Sequence, residues 1–495
     1  MQGRLQQEQN FRAALGAILA AGVFINSARS VSQLLREPDM WWHVKTGQMI
    51  LTNGSVPQVD SFSHSFSGSP WIAKEWLAQV IYALSYNFAH WAGPLFLASF
   101  VVALTAWLMY QFLTRNLQPF YAAFLVLLLL LMVQGVTVAR PHLLTFPIAV
   151  ALTWFMFDAS RRKVGPPFWC LGLIVIWANL HGSVPIAWLI AVTAFLDFVE
   201  RSGFKISGNL KTWIVFLILC PIVSLINPYF YQPYLIALKL AQGIDVMGQI
   251  SEWAPFTSSD NRNMEIGLLA ILFCIFWSCA RFSVGQIIFV LVTLHMMLDH
   301  LRFQYLFFLL VPLVVTPEIV LARPRLSIAQ WREKEFDRLE TLVSKGKNYV
   351  FAGSVLAAIF VAAFLQTRDM VEPPEFASIS NAISFVKEHS SNDPALKMKV
   401  FNEYNFGGAL ILADIKTYID GRAEQLFLGP FMTSYLASGQ AGNSAALNKI
   451  LEDPEIGWTI FSPDDPRNIG LSQLSNWKKV YEDSYALIYE RKLAN

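Results

Sequence analysis

Residues 119–137 read Pro119-Phe120-Tyr121-Ala122-Ala123-Phe124-Leu125-Val126-Leu127-Leu128-Leu129-Leu130-Leu131-Met132-Val133-Gln134-Gly135-Val136-Thr137, with no charged side chain among them. A helix of that length rises about 28 Å, close to the roughly 30 Å of a bilayer's hydrocarbon core. Similar apolar stretches lie near 11–27, 93–114, 143–159, 166–180, 184–199, 212–227, 265–280, 284–299, 303–322 and 349–366. The pattern predicts an all-α polytopic membrane domain of about eleven transmembrane helices over 1–366. Composition agrees. Of 495 residues, 55% are hydrophobic and 15% charged, against about a quarter charged in soluble domains. The mean hydropathy is +0.43. Disorder, a coiled coil and a purely soluble enzyme are excluded. A net charge of +2 gives no basic face to track a phosphate backbone, so no nucleic-acid partner is expected. Cys170, Cys220, Cys274 and Cys279 all sit in apolar runs, where they act as small hydrophobes and not as a disulfide or metal framework. The first apolar run reads as a retained span and not as a cleaved leader.

Positive charge orients the spans. Alternate connections carry Arg115, then Arg161, Arg162 and Lys163, then Arg201, Lys205 and Lys211, then Arg281, then the basic run from Arg323 to Lys347. All five share one side if the N-terminus is cytoplasmic. The expected location is the inner (cytoplasmic) membrane, multi-pass. The opposite side then receives a long first loop, about 28–92, a second of about 228–264, three short turns and the tail. The tail, 367–495, holds 17 acidic and 12 basic residues and reads as an extracytoplasmic soluble α/β domain. Ala377–Ser390 has helical periodicity. Lys399–Asn402, Thr417–Asp420 and Thr459–Ser462 read as strands, and Trp477–Asp483 with Tyr485–Arg491 as a hairpin.

The polar residues of unusual type gather toward that same side. Asp39 and His43 open the first loop in Glu37-Pro38-Asp39-Met40-Trp41-Trp42-His43, and Glu75 closes it in Lys74-Glu75-Trp76. Trp42 to Thr52 could form an amphipathic helix along the interface, with its aromatic residues at headgroup depth. The turns add Arg140, His142, Asn179, His181, His300 and Arg302, and the second loop adds Glu252. Each alone could be a boundary anchor. Together, ionisable groups near membrane depth read as functional. Carboxylates beside a basic cluster suit activation of a nucleophile and neutralisation of a leaving phosphate. Asp420-Gly421-Arg422, at the end of an expected strand, reads as a structural turn.

These residues also carry a resemblance. Glu37 to Gly47, Val56 to Ser63, Lys74 to Leu77, Ala139 to Leu143, Trp177 to Gly182, Asn227 to Tyr229, Val400 to Gly408 and Tyr418 to Arg422 together resemble a large group of bacterial polytopic membrane proteins. Their layout is similar to the C-type (GT-C) integral-membrane glycosyltransferases. The resemblance implies a sugar moved from a polyprenyl-phosphate donor to an extracytoplasmic glycan, lipid or protein acceptor, with inversion and without a nucleotide. Asp39 matches the superfamily's acidic residue after the first span. Where a paired acidic motif is common there, this chain has Glu37 two residues earlier, which leaves a divalent metal open. The implied roles are Asp39 as general base, with Glu75 or Glu252 as helpers. Arg140, His142, His181, His300 and Arg302 would bind the donor phosphate, with His43 and Asn179 lining the pocket beside membrane lipid. A transporter or flippase for a lipid-linked glycan, or an assembly protein for polysaccharide export, are the alternatives.

Overall fold

The structure, a computed structural model, describes residues 2–206, 208–242, 255–257, 261–327, 353 and 371–493. Glu252 lies outside the described residues, as does the span expected at 349–366 apart from residue 353. The chain divides into two compact units. The first comprises Met1–Ser30, Pro94–Phe230 and Gly248–Met370, and the second Val31–Gly93, Tyr231–Met247 and Val371–Asn495. The first loop therefore shares a unit with the tail.

The first unit is helical. Among the described residues, four helices are long and apolar enough to cross a membrane: Gln9–Arg29, Ala92–Leu113, Pro141–Arg161 and Leu301–Ala322. This overturns the expected fold class, an all-α membrane domain of about eleven transmembrane helices. The reason is visible in residues 119–137. Their helix covers only Pro119–Met132 and gives way to a 3-10 turn at Gln134–Val136. Fourteen helical residues rise about 21 Å, short of the hydrocarbon thickness. Likewise Cys170–Leu180 stops where His181 turns extended. Gly208–Ser224 and Val284–Asp299 are also apolar helices below spanning length. Hydropathy sums side chains and is blind to the residue at which the backbone leaves the helix.

Local chemistry sets the packing here. Val284–Asp299 begins with a capping box: Gln286 N–H donates to Ser283 Oγ at 3.2 Å, and Ser283 N–H donates to Gln286 Oε1 at 3.0 Å. These bonds satisfy two orphan donors of the first turn. One residue on, Gly285 presses on the backbone at Thr193 and Asp197 of helix Pro185–Arg201, where a Cβ would collide. Asp197 is fully buried. It accepts from Ser160 Oγ at 2.5 Å and from Arg201 Nε at 2.7 Å, while Arg201 Nη2 donates to Glu318 Oε1 at 2.6 Å. Buried charge persists only when paired in this way.

In the second unit, helices Asp39–Asn53 and Trp76–Ala89 pack against each other. Gly47 allows the crossing, since a Cβ there would strike the Gln79 carbonyl. Trp41 and Trp42 are 3% and 7% exposed, so the aromatic pair is packed inside the protein. Gly54, at φ 65°, caps the first of these helices through N–H donation to the Ile50 carbonyl at 2.9 Å, the left-handed position that glycine fills without penalty.

The tail contributes an open four-stranded sheet of order β1-β2-β4-β3, with β1 Lys399–Asn402, β2 Ile456–Phe461, β3 Trp477–Glu482 and β4 Leu487–Arg491. β1 and β2 are parallel, and the other two pairings antiparallel. β2 is buried at every position, as a central strand's apolar run requires. Thr417–Asp420, expected as a strand, instead makes a single parallel bridge, Ser63 to Thr417, and so ties the loop to the tail.

Candidate functional site

Asp39 is the first residue of helix Asp39–Asn53, where the helix dipole favours negative charge. It is half-buried. Trp42, one turn on, donates Nε1–H to Asp39 Oδ1 at 3.0 Å. The carboxylate also abuts the backbone of Gly421: a Cβ at that position would meet Asp39 Oδ1. His43 is buried beside Trp42, with ring centroids 3.7 Å apart. Gln79 Nε2 donates to His43 Nδ1 at 3.2 Å, while His43 Nε2 lies 3.8 Å from Glu75 Oε2. The helix hairpin thus brings Asp39, His43 and Glu75 into one polar neighbourhood of the second unit, together with Gln79, a residue the sequence reading did not select.

The turn Asp420-Gly421-Arg422 is more than a loop. Arg422 and its two partners are inaccessible to solvent. Its Nε and Nη2 donate to Asp420 Oδ1 and Oδ2 at 2.7 and 2.8 Å, and its Nη1 to Asp60 Oδ1 at 2.5 Å. The guanidinium carbon lies 4.9 Å from the Trp71 ring centroid and 5.2 Å from that of Phe62. Asp60 is itself held by the Phe62 N–H at 2.9 Å and by Ser63 Oγ at 2.5 Å. Two carboxylates around one guanidinium fork satisfy the geometry that makes such a cluster tolerable in an interior.

The first unit holds the other candidates. Arg140 is half-buried on extended backbone before the turn Pro141–Thr145. His142 Nε2 lies 2.8 Å from the Val136 carbonyl, so that nitrogen carries the proton and donates. His181 is arranged the opposite way: its Nδ1 accepts from the Ser183 backbone N–H at 3.2 Å and lies 2.8 Å from Ser183 Oγ. In the neutral ring the proton therefore sits on Nε2, where it can serve as a donor. The two rings are 6.1 Å apart between centroids. Tyr305 joins them, 6.4 Å from His142 and stacked on Phe146 at 4.7 Å. It borders the π-helical turn Leu306–Leu310, and the sequence reading missed it because tyrosine in an apolar run counts as one more hydrophobe. Asn179 spends both amide hydrogens on main-chain carbonyls, of Val175 and Ile226, at 2.8 Å each; this is a structural tie. His300 follows the helix Val284–Asp299 and lies 3.3 Å from Asp299, and Arg302 sits 5.9 Å from the Phe303 ring centroid. Among the described residues, no group of three or more His, Cys, Asp or Glu could hold a metal ion.

No protein-family model matches the chain, and no curated protein matches it. Solved structures do. The chain is similar in fold to the Archaeoglobus fulgidus oligosaccharyltransferase, crystallised tethered with an acceptor peptide containing the NVT sequon via a disulfide bond. That match has 12% identity and a TM-score of 0.53, and covers 91% of this chain and 69% of the other. It is also similar to ArnT from Cupriavidus metallidurans bound to undecaprenyl phosphate, with 13% identity, a TM-score of 0.50, and coverage of 96% and 97%. At these identities the likeness to both structures is one of fold, and it is in keeping with the chain's apolar helices.

Proposed function

We propose that this protein is an integral-membrane glycosyltransferase that moves a sugar from a polyprenyl-phosphate donor to an acceptor hydroxyl on the extracytoplasmic side. The fold likeness to ArnT, which spans 96% of this chain, carries the reading. Asp39 takes the proton of the acceptor hydroxyl as its oxygen attacks the anomeric carbon. The bond from that carbon to the phosphate oxygen breaks, configuration inverts, and polyprenyl phosphate leaves with the electron pair. Arg140 and Arg302 hold the phosphate by charge-assisted bonds, which strengthen where water is scarce. His181, protonated at Nε2, and His300 add donors, while His142 has already committed Nε2–H to a carbonyl. Glu75 and His43 support the base from the same helix hairpin.

The test uses the full chain in detergent, a panel of undecaprenyl-phosphate sugars and a cell-envelope extract as acceptor, with released undecaprenyl phosphate as the readout. Asp39→Asn keeps shape and removes the charge, so turnover should fall by about 10²–10⁴ while undecaprenyl phosphate still binds. Arg302→Ala should instead weaken that binding. If Asp39→Asn retained more than about a tenth of wild-type turnover, less loss than is typical of removing a general base, the role would pass to Glu75 or Glu252.

A further inference from the structure

We propose that Gly421 and Arg422 of the tail are positioning residues for Asp39, so that the tail completes the base and does not merely cover it. The inference rests on the reading of Asp39 as base. Two routes lead from Arg422 to that carboxylate. The first is the backbone: Gly421 lies directly against Asp39 Oδ1, and a Cβ there would also come within 3.1 Å of Trp42 Nε1, the donor to that oxygen. The second is through rings: Arg422 lies over Trp71, and Trp71 meets Trp42 edge-on at 6.4 Å and 74°. The turn itself is tied by hydrogen bonds. Asp420 Oδ1 accepts from the Arg422 N–H at 3.1 Å, Thr417 Oγ1 donates to Asp420 Oδ2 at 2.9 Å, and Thr417 bridges to the loop through Phe62 and His64. An arginine locked at both ends by carboxylates leaves its neighbouring glycine no freedom to retreat from Asp39. Glycine is required because any side chain would displace the carboxylate or its indole donor.

The experiment reads Asp39 directly. The detergent-purified full chain is treated with a water-soluble carbodiimide and glycine ethyl ester at one mildly acidic pH, and modification of Asp39 is quantified by peptide mass spectrometry. Gly421→Ala and Trp42→Phe should raise the labelling rate about tenfold, the worth of one hydrogen bond to a charged group. Arg422→Lys keeps the charge but loses the fork, and should raise it too. Arg467→Lys is the control. It disturbs a comparable arginine in the same unit, bonded to Asp465, Ser438 and Tyr435, and should leave Asp39 labelling unchanged. In turnover, Gly421→Ala and Arg422→Lys should lower kcat with the donor KM unmoved. Added to Asp39→Asn, Gly421→Ala should cause no further loss, as coupled residues require. Wild-type labelling in both Gly421→Ala and Arg422→Lys overturns the inference, as does an Arg467→Lys effect of equal size. If Gly421→Ala does not fold, Arg422→Lys against the Arg467→Lys control carries the test. Unchanged labelling with an inactive Asp39→Asn sinks positioning alone, and altered labelling with an active Asp39→Asn sinks the base alone.

Discussion

A buried ion network in one compact unit and one in the other are built differently. In the helical unit, Arg201 bonds Asp197 four residues earlier on its own helix and Glu318 on another. In the second unit, Arg422 bonds Asp420 two residues away and Asp60 at a separation of 362. Arg201 remains 23% exposed, whereas Arg422 and its partners are closed off entirely. The carboxylates of both networks keep other donors: Asp197 has Ser160 and Glu318 has Gln286 at 3.4 Å, while Asp60 has Phe62 and Ser63 and Asp420 has Thr417. The lesson is that one network trims a helix bundle, while the other is the joint by which two distant stretches of chain become one body.

Removing each arginine should expose the difference. Arg422→Met would leave two interior carboxylates without their cation, and should cost about 3–5 kcal/mol, the usual result of breaking a buried pair from one side. Arg201→Met should cost clearly less, since Arg201 is 23% exposed whereas Arg422 and both its partners are closed off. Thermal unfolding of the two variants in one detergent decides it, and equal losses would erase the distinction. A smaller effect concerns pH. Burial, opposed by the bond of Nε2 to the Val400 carbonyl at 2.8 Å, lowers the pKa of His64 below 6.5. The unfolded chain then binds the proton more tightly, so stability is lost as pH falls below 6.5 and toward the lowered value. His64→Gln should flatten that part of the melting-temperature profile. An unchanged slope would show that the link from loop to β1 does not titrate.

What the sequence made legible follows the same division. Four of the apolar runs, 11–27, 93–114, 143–159 and 303–322, coincide with long helices at Gln9–Arg29, Ala92–Leu113, Pro141–Arg161 and Leu301–Ala322. In 119–137 composition continued after the helix had stopped at Met132, and in 166–180 it began before the helix, which starts only at Cys170. Backbone direction there is settled by packing, as where Gly135 closes on Gln304. Arg201 was counted as a marker of sidedness, because basic residues are tallied without their acidic partners; Asp197 lies one turn earlier on its helix, and only the bond to Glu318 is a tertiary fact. Of the candidate site, Asp39, His43 and Glu75 could be picked out as neighbours along one loop. The Asp60–Arg422 pair could not, since nothing local to either residue names the other. Trp41 and Trp42 misled for a simpler reason: an amphipathic ring suits a membrane boundary and a protein interior alike.

The long separation of Asp60 from Arg422 also has a temporal side. A ribosome adding about 5–20 residues per second needs roughly 20–70 s to travel the 362 positions between them. For that interval the newly made loop holds an aspartate destined for the interior but has no cation to receive it. Its tryptophans are likewise without Gly421 and Arg422 to close upon. The nascent loop thus waits on its partner, and its final ion pair forms only once the last quarter of the chain is delivered.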